Sequence, residues 1–214
     1  MRKHVYNFLM SIMAGISIAM GCLVYLLSET KTIGALFFSA GLFLVLTRGY
    51  NLYTGKIGYL LDNKKTYIFE IISMWFGNLI GTQILSFFVK NTYLYDKILP
   101  SATKIIETKI TQGHLSAFLL SILCGFIIYL SVENYKQSNH EIGKYLGILL
   151  LIPLFIICGF EHCVADMFYF FLTPDNIKAK ILYLFVISLG NAIGSISLNE
   201  IKKIKHPQIP ITKK

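Results

Sequence analysis

The chain has 214 residues, of which 55% are hydrophobic and 14% charged, and its formal net charge is +9. A soluble domain carries about 25% charged residues, and here the apolar residues come in long blocks. These properties exclude an ordinary soluble protein, and they indicate that the excess of Lys and Arg marks membrane topology and lipid contact rather than nucleic-acid binding.

Six apolar blocks have about the length that a helix needs to cross a bilayer, which is roughly 20 residues. The first block follows Arg2 and Lys3 and could be taken for a signal peptide, but it is longer than a signal-peptide core and no Ala-x-Ala cleavage site follows it. We therefore interpret it as a first span. The predicted spans cover residues 6–27, 33–50, 67–89, 115–132, 145–171 and 181–198.

The distribution of basic residues predicts the orientation of these spans. An even number of spans places both termini on one side of the membrane. With both termini in the cytoplasm, the inner segments carry more Lys and Arg than the outer ones, as the positive-inside rule requires. Several of the outer lysines fall in one long predicted loop at 90–114. We expect a multi-pass protein of the cell (plasma) membrane.

The chain also repeats itself at a lag of about 110 residues. Residues 8–15 match residues 118–125, and the Gly-Asn-x-x-Gly motif at 77–81 returns at 190–194. Each repeat holds three spans, so the second copy must be inverted across the membrane. Residues 1–214 are therefore predicted to form one channel domain with inverted repeats at about 6–90 and 115–198, an architecture typical of transporters and channels. The alternative is a chance match between two apolar stretches.

The second and fifth predicted spans carry Gly and polar residues at equivalent positions, 49–55 and 159–166. A helix broken there frees backbone groups that only protein or a water-filled path satisfies. Two broken helices from inverted halves meet near the midplane, where their ends offer N–H groups and dipoles to an ion. The pattern predicts a central pathway at these two breaks.

Four ionisable residues lie at the predicted membrane depth: Arg48, Glu161, His162 and Asp166. Such groups are costly in a membrane and mark functional sites. A neutral imidazole donates a hydrogen bond to a small anion and also passes a proton near physiological pH, which favours His162 as the central group. For Arg48 the alternatives are the pathway, an ion pair with Glu161 or Asp166, or extension to the membrane interface.

The remaining motifs favour structure over chemistry. The two Gly-x-x-x-Gly pairs are typical of close helix packing, and Asn78 and Asn191 beside them are expected to bond the broken segments. The four cysteines lie in apolar blocks without a Cys-x-x-Cys pair, so we expect neither a disulfide framework nor a metal site. No cofactor is expected.

These stretches resemble the formate/nitrite transporter family over about residues 15–194. Its members carry Gly-(acid)-Leu-Phe-Thr in the second span, Gly-Phe-Glu-His-x-x-Ala-Asn-Met-Phe in the fifth, and Gly-Asn-x-x-Gly in the third and sixth. The corresponding stretches here are Asn51-Leu52-Tyr53-Thr54 and Gly159-Phe160-Glu161-His162-Cys163-Val164-Ala165-Asp166-Met167-Phe168, with both Gly-Asn motifs present.

The resemblance implies an aquaporin-like fold and a homopentamer with one pore per subunit in a prokaryotic plasma membrane. It implies passage of small monovalent anions such as formate, nitrite or hydrosulfide, linked to a proton. His162 then corresponds to the central pore group, and Lys109 to a lysine that draws anions in. The implied constrictions are the broken second span, with Leu52, Tyr53 and Thr54, and an apolar set with Phe38, Ile128 and Phe155.

Two positions depart from the family pattern. The acid before Leu-Phe-Thr is Asn51 here, and the Asn after Ala is Asp166. Acid and amide are exchanged, so we predict that Asn51 and Asp166 lie close together in one hydrogen-bonded pair.

A bare anion crosses an apolar constriction only at high cost. An anion that gains a proton near His162 crosses as a neutral weak acid, and formate, nitrite and hydrosulfide all have this property. One alternative is a channel for a neutral solute such as water or ammonia on the same scaffold. Another is an intramembrane enzyme that uses Glu161, His162 and Asp166, although their spacing matches no catalytic signature.

Overall fold

A computed structural model describes residues 2–204, which form nine α-helices and one 3₁₀ helix without any strand. The predicted all-α membrane fold is confirmed, and Met1 and residues 205–214 of the predicted 1–214 domain lie outside this description. In chain order the elements are α1 (Arg2–Leu27), α2 (Lys31–Arg48), α3 (Tyr53–Lys56), the 3₁₀ helix (Ile57–Asp62), α4 (Tyr67–Lys90), α5 (Leu94–Thr111), α6 (His114–Gln137), α7 (Glu141–Ile157), α8 (Cys163–Phe170) and α9 (Ile177–Lys203).

Five helices in the described part of the chain are long and apolar enough to cross a membrane, namely α1, α2, α4, α6 and α9. The predicted fifth span is divided between two shorter helices, α7 with 17 residues and α8 with 8 residues. Neither is long enough to cross alone, because a crossing needs roughly 20 residues. The helices are therefore consistent with six crossings, the fifth of which is broken.

The prediction of a long loop at 90–114 is wrong, because most of this segment forms α5. Ile98, Ala102 and Ile106 recur every four residues and are buried on one side of the helix. The other positions are mostly polar, so the segment is amphipathic and lacks the continuous apolar run that identifies a membrane span. Pro100 lies within this helix.

Close helix pairs form the centre of each half. Helix α1 packs against α4, and α6 packs against α9. A Cβ atom on Gly15 would overlap the Asn78 carbonyl, and one on Gly125 would overlap the Asn191 carbonyl. The glycines therefore allow the backbones of each pair to touch. Helices α2 and α7 pack against each other and join the two halves.

The two broken spans end their first helix in the same way. Gly49 after α2 and Gly159 near the end of α7 have φ of 69° and 71°, in the left-handed region that favours glycine. The next residue donates its N–H back to the helix, from Tyr50 to the Val45 carbonyl at 2.9 Å in the first break. The same bond in the second break is 3.0 Å long. Both bonds satisfy carbonyls at the helix end and turn the chain.

After each break, the chain packs against the other half. Helix α3 contacts α6, and the 3₁₀ helix packs against α9. Helix α8 contacts α4 and α1 in turn. This exchange of segments brings the two breaks together in the interior of the protein.

Candidate functional site

Asn78 of α4 fixes the first break. Its Oδ1 accepts a hydrogen bond from the N–H of Tyr53 at 2.8 Å, and its Nδ2 donates to the carbonyls of Ser11 at 2.7 Å and Asn51 at 3.0 Å. The side chain is fully buried. These bonds satisfy backbone groups that the interrupted helix leaves without partners.

Asn191 of α9 makes the corresponding bonds at the second break. Its Oδ1 accepts from the N–H of Cys163 at 2.9 Å, and its Nδ2 donates to the carbonyls of Ser121 and Glu161, each at 2.8 Å. The sequence prediction that both asparagines bond the broken segments agrees with this geometry. The two breaks are thus held at equivalent points by equivalent side chains.

Thr54 and His162, one from each break, meet in the interior. Thr54 Oγ1 lies 2.9 Å from His162 Nε2, and the two residues are 1% and 2% exposed. His162 also caps α8, because its Nδ1 accepts the N–H of Ala165 at 3.1 Å. Since Nδ1 is an acceptor, the ring proton of the neutral imidazole is on Nε2. His162 is therefore a hydrogen-bond donor that points at Thr54.

Two cavities lie near this pair, one beside His162 and the other beside Leu52 and Gly55, which flank Thr54 in sequence, and the cavities share no lining residue. The large cavity has a volume of about 740 Å³, and its wall includes Phe155, Glu161, His162 and Asp166. The small cavity has a volume of about 180 Å³ and is lined mainly by apolar residues, including Leu52. Buried side chains around Thr54 and His162 separate the two spaces.

Aromatic rings form part of this separation. Phe38 and Phe155 meet edge to face with centroids 5.8 Å apart, and the ring centroid of Phe155 is 5.9 Å from that of His162. Ile128 is also buried in the core. Phe155 lines the large cavity, whereas Phe38 and Ile128 line neither.

Tyr53 differs from its neighbours in the first break. Its hydroxyl donates to the carbonyl of Ser188 at 3.0 Å, and the residue lines neither cavity. The structure thus places Leu52 at the small cavity and Thr54 at His162, while Tyr53 anchors α3 to α9.

A charged cluster lies in the wall of the large cavity beside His162. The ammonium of Lys109, on α5, forms an ion pair with Glu161, and its Nζ lies 2.9 Å from Asp166 Oδ1. Glu161 and Asp166 are 2% and 1% exposed. Neither oxygen of Asp166 has a hydrogen-bond partner of suitable geometry among residues 2–204.

Two members of this cluster are missing from the sequence prediction. Gln112 Nε2 donates to Glu161 Oε1 at 2.6 Å and is also hydrogen-bonded to the Tyr183 hydroxyl. Gln112 directly follows α5, in the segment that sequence reasoning assigned to a loop. The apolar residues of α5 recur at helical spacing, and this pattern is the sequence signal that predicts a helix here. The end of that helix carries Gln112 to the charged cluster.

Two expectations for polar residues are corrected by the structure. The predicted pair of Asn51 and Asp166 is wrong, since Asn51 Nδ2 donates to the Asn7 carbonyl at 3.2 Å while Asp166 faces Lys109. At the sequence lag of about 110 residues, Asn51 corresponds to Glu161 rather than to Asp166. Arg48 is exposed at the end of α2, lines neither cavity and forms no ion pair within residues 2–204. Neither an ion pair with Glu161 or Asp166 nor a place in either cavity is found for Arg48, and extension to the interface stays a prediction.

Comparison with known proteins identifies the family. The sequence model of the formate/nitrite transporter family matches residues 2–201. The chain belongs to the formate/nitrite transporter family. It is therefore related to transport proteins rather than to enzymes.

Relatives within the family are moderately similar to this chain. The "Probable formate transporter" of Methanothermobacter thermautotrophicus is 30% identical over 156 residues, which cover 62% of this chain and 57% of that protein. Formate channel FocB of Escherichia coli (strain K12) is 25% identical over 190 residues, covering 78% of this chain and 66% of that protein. The chain spans little more than half the length of the first of these relatives.

Solved structures of the family share the fold. A pentameric formate channel with formate bound has a TM-score of 0.78 at 23% identity, covering 94% of this chain and 96% of that one. A second structure, an FNT family ion channel, has a TM-score of 0.84 at 20% identity and covers 92% and 88% of the two chains. The architecture of α1 to α9 is therefore that of a formate/nitrite transporter.

Proposed function

We propose that this chain forms a channel or transporter for small monovalent weak-acid anions, with formate as the expected substrate and nitrite and hydrosulfide as further candidates. The observation that carries the proposal is the buried contact of Thr54 and His162 between two cavities. Support also comes from the names of its relatives, which include formate channels.

The route follows the two cavities. The solute enters the large cavity as an anion, passes Phe155, His162 and Thr54 as the neutral acid, and leaves along Leu52 through the small cavity. Phe38 and Ile128 complete the apolar surroundings of this short central section. The central section lies where the two helices are broken. The polar groups at the breaks give it hydrogen-bonding partners that continuous apolar helices would lack.

The central section favours a neutral species with oxygen acceptors. An unpaired charge among buried apolar side chains is strongly destabilised, so the anion crosses with a proton. The Nε2–H of His162 and the hydroxyl of Thr54 supply hydrogen bonds to an oxygen or sulfur atom that has left water. The two groups meet the polar requirements of the solute, while the apolar wall excludes the free ion.

The orientation expected from the basic residues indicates to which side of the membrane each cavity opens. With both termini in the cytoplasm, the small cavity opens to the cytoplasm, and its rim carries Lys56 and Lys136. The large cavity then opens to the outside, where Lys31 and Lys104 line its wall beside Glu29, while Lys109 is paired with the two buried acids. Outside the Lys109 cluster, lysines exceed acids at both openings, and this positive excess attracts anions.

The subunit contains a complete pathway in one domain built from two inverted repeats. Many large apolar side chains on its outer surface are exposed, including Phe69, Phe87, Leu150 and Leu189. In a membrane, these groups face lipid or a second subunit. A homopentamer with one pore per subunit accounts for them, and the plasma membrane of a prokaryote is the expected location.

Uptake of labelled formate into liposomes that contain the purified protein tests the proposal. His162→Phe keeps a ring of similar size and removes the donor, so the initial rate is expected to fall by about tenfold or more, since one hydrogen bond of about 1.4 kcal/mol corresponds to a factor of ten. His140→Phe is the matched control, because His140 is exposed and lines neither cavity. It is expected to leave uptake unchanged.

Competition by nitrite and hydrosulfide ranks the substrates in the same assay. A protein that shows no saturable uptake of any of the three anions, while it speeds water or ammonia permeation, would support the neutral-solute channel and contradict the proposal.

A further inference from the structure

We propose that Glu161 and Asp166 share one proton in the wall of the large cavity, and that an incoming anion receives this proton. The inference deepens the proposed function and rests on it for the identity of the acceptor. It assigns to Asp166, which departs from the amide expected at this position, the role of a partner in proton donation.

The charge balance of the cluster is the first argument. Two carboxylates, each at most 2% exposed, face one ammonium, that of Lys109. If both acids were ionised, a buried negative charge would remain without a counter-ion. Buried charges are stable only when they are paired, and two carboxylates that share a site do not both ionise readily. One proton on the pair makes the cluster neutral.

The contacts of the two acids indicate which of them holds the proton that the anion receives. Glu161 is engaged by Lys109 and by Gln112, whose Nε2 lies 2.6 Å from Oε1. Asp166 has an ammonium near Oδ1 at 2.9 Å, and Oδ2 has no partner within residues 2–204. A proton on Oδ2 of Asp166 would remove the charge from this buried, unpartnered oxygen and make it an O–H donor. Asp166 also lines the large cavity through which the anion arrives.

His162 is poorly suited to supply the proton. Its Nδ1 already accepts the N–H of Ala165, so a second ring proton would break the cap of α8 and leave that N–H without a partner. The added positive charge would also lie near the ammonium of Lys109. His162 therefore stays neutral and offers only the hydrogen bond from Nε2, and the proton comes from another group.

The surroundings of Asp166 contain no second ion-paired cation within residues 2–204. Thiols and phenols are neutral near neutral pH, and the lysines at positions 31 and 104 line the cavity without pairing to either acid. The titratable groups that surround Asp166 are Lys109 of α5, Cys22 and Tyr25 of α1, Cys124 of α6, Glu161 and His162 of the second break, Cys163 and Tyr169 of α8, and Tyr183 of α9.

The transfer itself is a simple acid–base step. The O–H bond of the shared carboxylic acid breaks, its electron pair stays on the carboxylate, and the proton forms a new O–H bond on the anion, or an S–H bond with hydrosulfide. The neutral acid then moves past Phe155 to His162 and Thr54. A hydronium ion from the outer solution then protonates the carboxylate pair again and leaves as water, so the cluster is restored and one proton travels with each anion.

Infrared spectroscopy of the protein without substrate tests for the shared proton. The wild type in liposomes near neutral pH is expected to show the C=O stretch of a protonated carboxylic acid, identified by its shift in D₂O. Asp166→Asn and Glu161→Gln each leave one acid for one ammonium, so each is expected to lose this band. Glu133→Gln changes an acid that lines neither cavity and bonds to Tyr59 and Lys202, so it is expected to retain the band.

Either absence of the band in the wild type or its persistence in both Asp166→Asn and Glu161→Gln would overturn the shared proton, whatever is found for transport.

The pH dependence of formate uptake tests the donation of this proton to the anion. In the wild type, uptake declines as external pH rises and the pair loses its proton. In Asp166→Asn the decline is expected to begin at lower pH, because the proton must then come from formic acid already formed in water. An unchanged profile would contradict the donor role.

Discussion

The hydroxyl of Thr54 and the imidazole of His162 lie 108 residues apart in sequence and 2.9 Å apart in the fold. Each follows the break of its own half, and the exchange of segments between the halves brings them together. Asn78 and Asn191 hold the two breaks in place with matching hydrogen bonds. The central polar contact therefore takes one residue from the segment after each break, and each of its supports has a testable consequence.

Thr54→Val removes the hydroxyl with little change in volume. The N–H of His162 then loses its partner in a buried site, where an unsatisfied donor costs about 1–3 kcal/mol. We expect the initial rate of formate uptake into liposomes to fall by about tenfold, which corresponds to about 1.4 kcal/mol. Thr54→Ser keeps the hydroxyl and is expected to retain most of the rate. Equal rates for the Val variant and the wild type would show that the hydroxyl does not contact the solute path.

Asn191→Ala removes the three bonds that fix the second break. Two carbonyls and one N–H are left buried without this partner, and each such loss costs about 1–3 kcal/mol. We expect a large drop in the thermal unfolding midpoint of the detergent-solubilised protein. Asn91→Ala is the matched control, because Asn91 is exposed and makes one bond to a helix-end carbonyl. A similar small shift for both variants would refute the role of Asn191.

Gly125→Ala tests the close approach of α6 and α9. The added methyl group would overlap the carbonyl of Asn191, and overpacking of a tight contact costs about 1–3 kcal/mol. We expect a lower unfolding midpoint, with weakened closure of the second break as a consequence. Gly55→Ala is the control, since the nearest atom to its Cβ would be a Val132 methyl at 3.4 Å. If the Gly125 variant were as stable as this control, the two helices would be less tightly packed than described.

Asp62 provides a pH-dependent contact at the end of the 3₁₀ helix. Hydrogen bonds from the Lys203 ammonium and from Asn199 Nδ2, the latter at 2.7 Å, lower the pKa of the Asp62 carboxyl below its ordinary value. A lowered pKa means that the carboxylate stabilises the fold at pH above about 4 and that this contribution is lost as pH falls through the folded-state pKa.

Comparison of the wild type with Asp62→Asn across this pH range checks the effect. The unfolding midpoint of the wild type is expected to exceed that of the variant near neutral pH, and the two are expected to converge in acid. The difference is small because exposed ion pairs contribute little. A constant difference at every pH would show that the Asp62 charge is not responsible.

Much of the fold follows from the sequence because membranes impose simple requirements. The apolar blocks identify the long helices. Gly49 and Gly159 identify the breaks, because glycine readily adopts the positive φ that each has in the structure. The Gly-Asn motifs identify both the close packing and the two asparagines that bond the breaks. These features depend on local sequence and on the repeat.

The remaining features depend on contacts that local sequence does not encode. Helix α5 is amphipathic and contains Pro100, so its polar face resembles that of a loop. The pairing of Asn51 with Asp166 was inferred from an apparent exchange of residue types, but the segments after the two breaks cross into opposite halves and separate these side chains. Lys109 therefore faces Glu161 and Asp166, while Asn51 contacts α1.

The internal pH of liposomes that contain the protein, followed with a trapped dye after formate is added outside, tests weak-acid passage most directly. We predict that the interior acidifies faster than in protein-free liposomes, that His162→Phe slows the added acidification by about tenfold or more, and that His140→Phe leaves it unchanged. Formate uptake without acidification, accompanied by an inside-negative membrane potential, would contradict proton-linked passage and would show that the bare anion crosses.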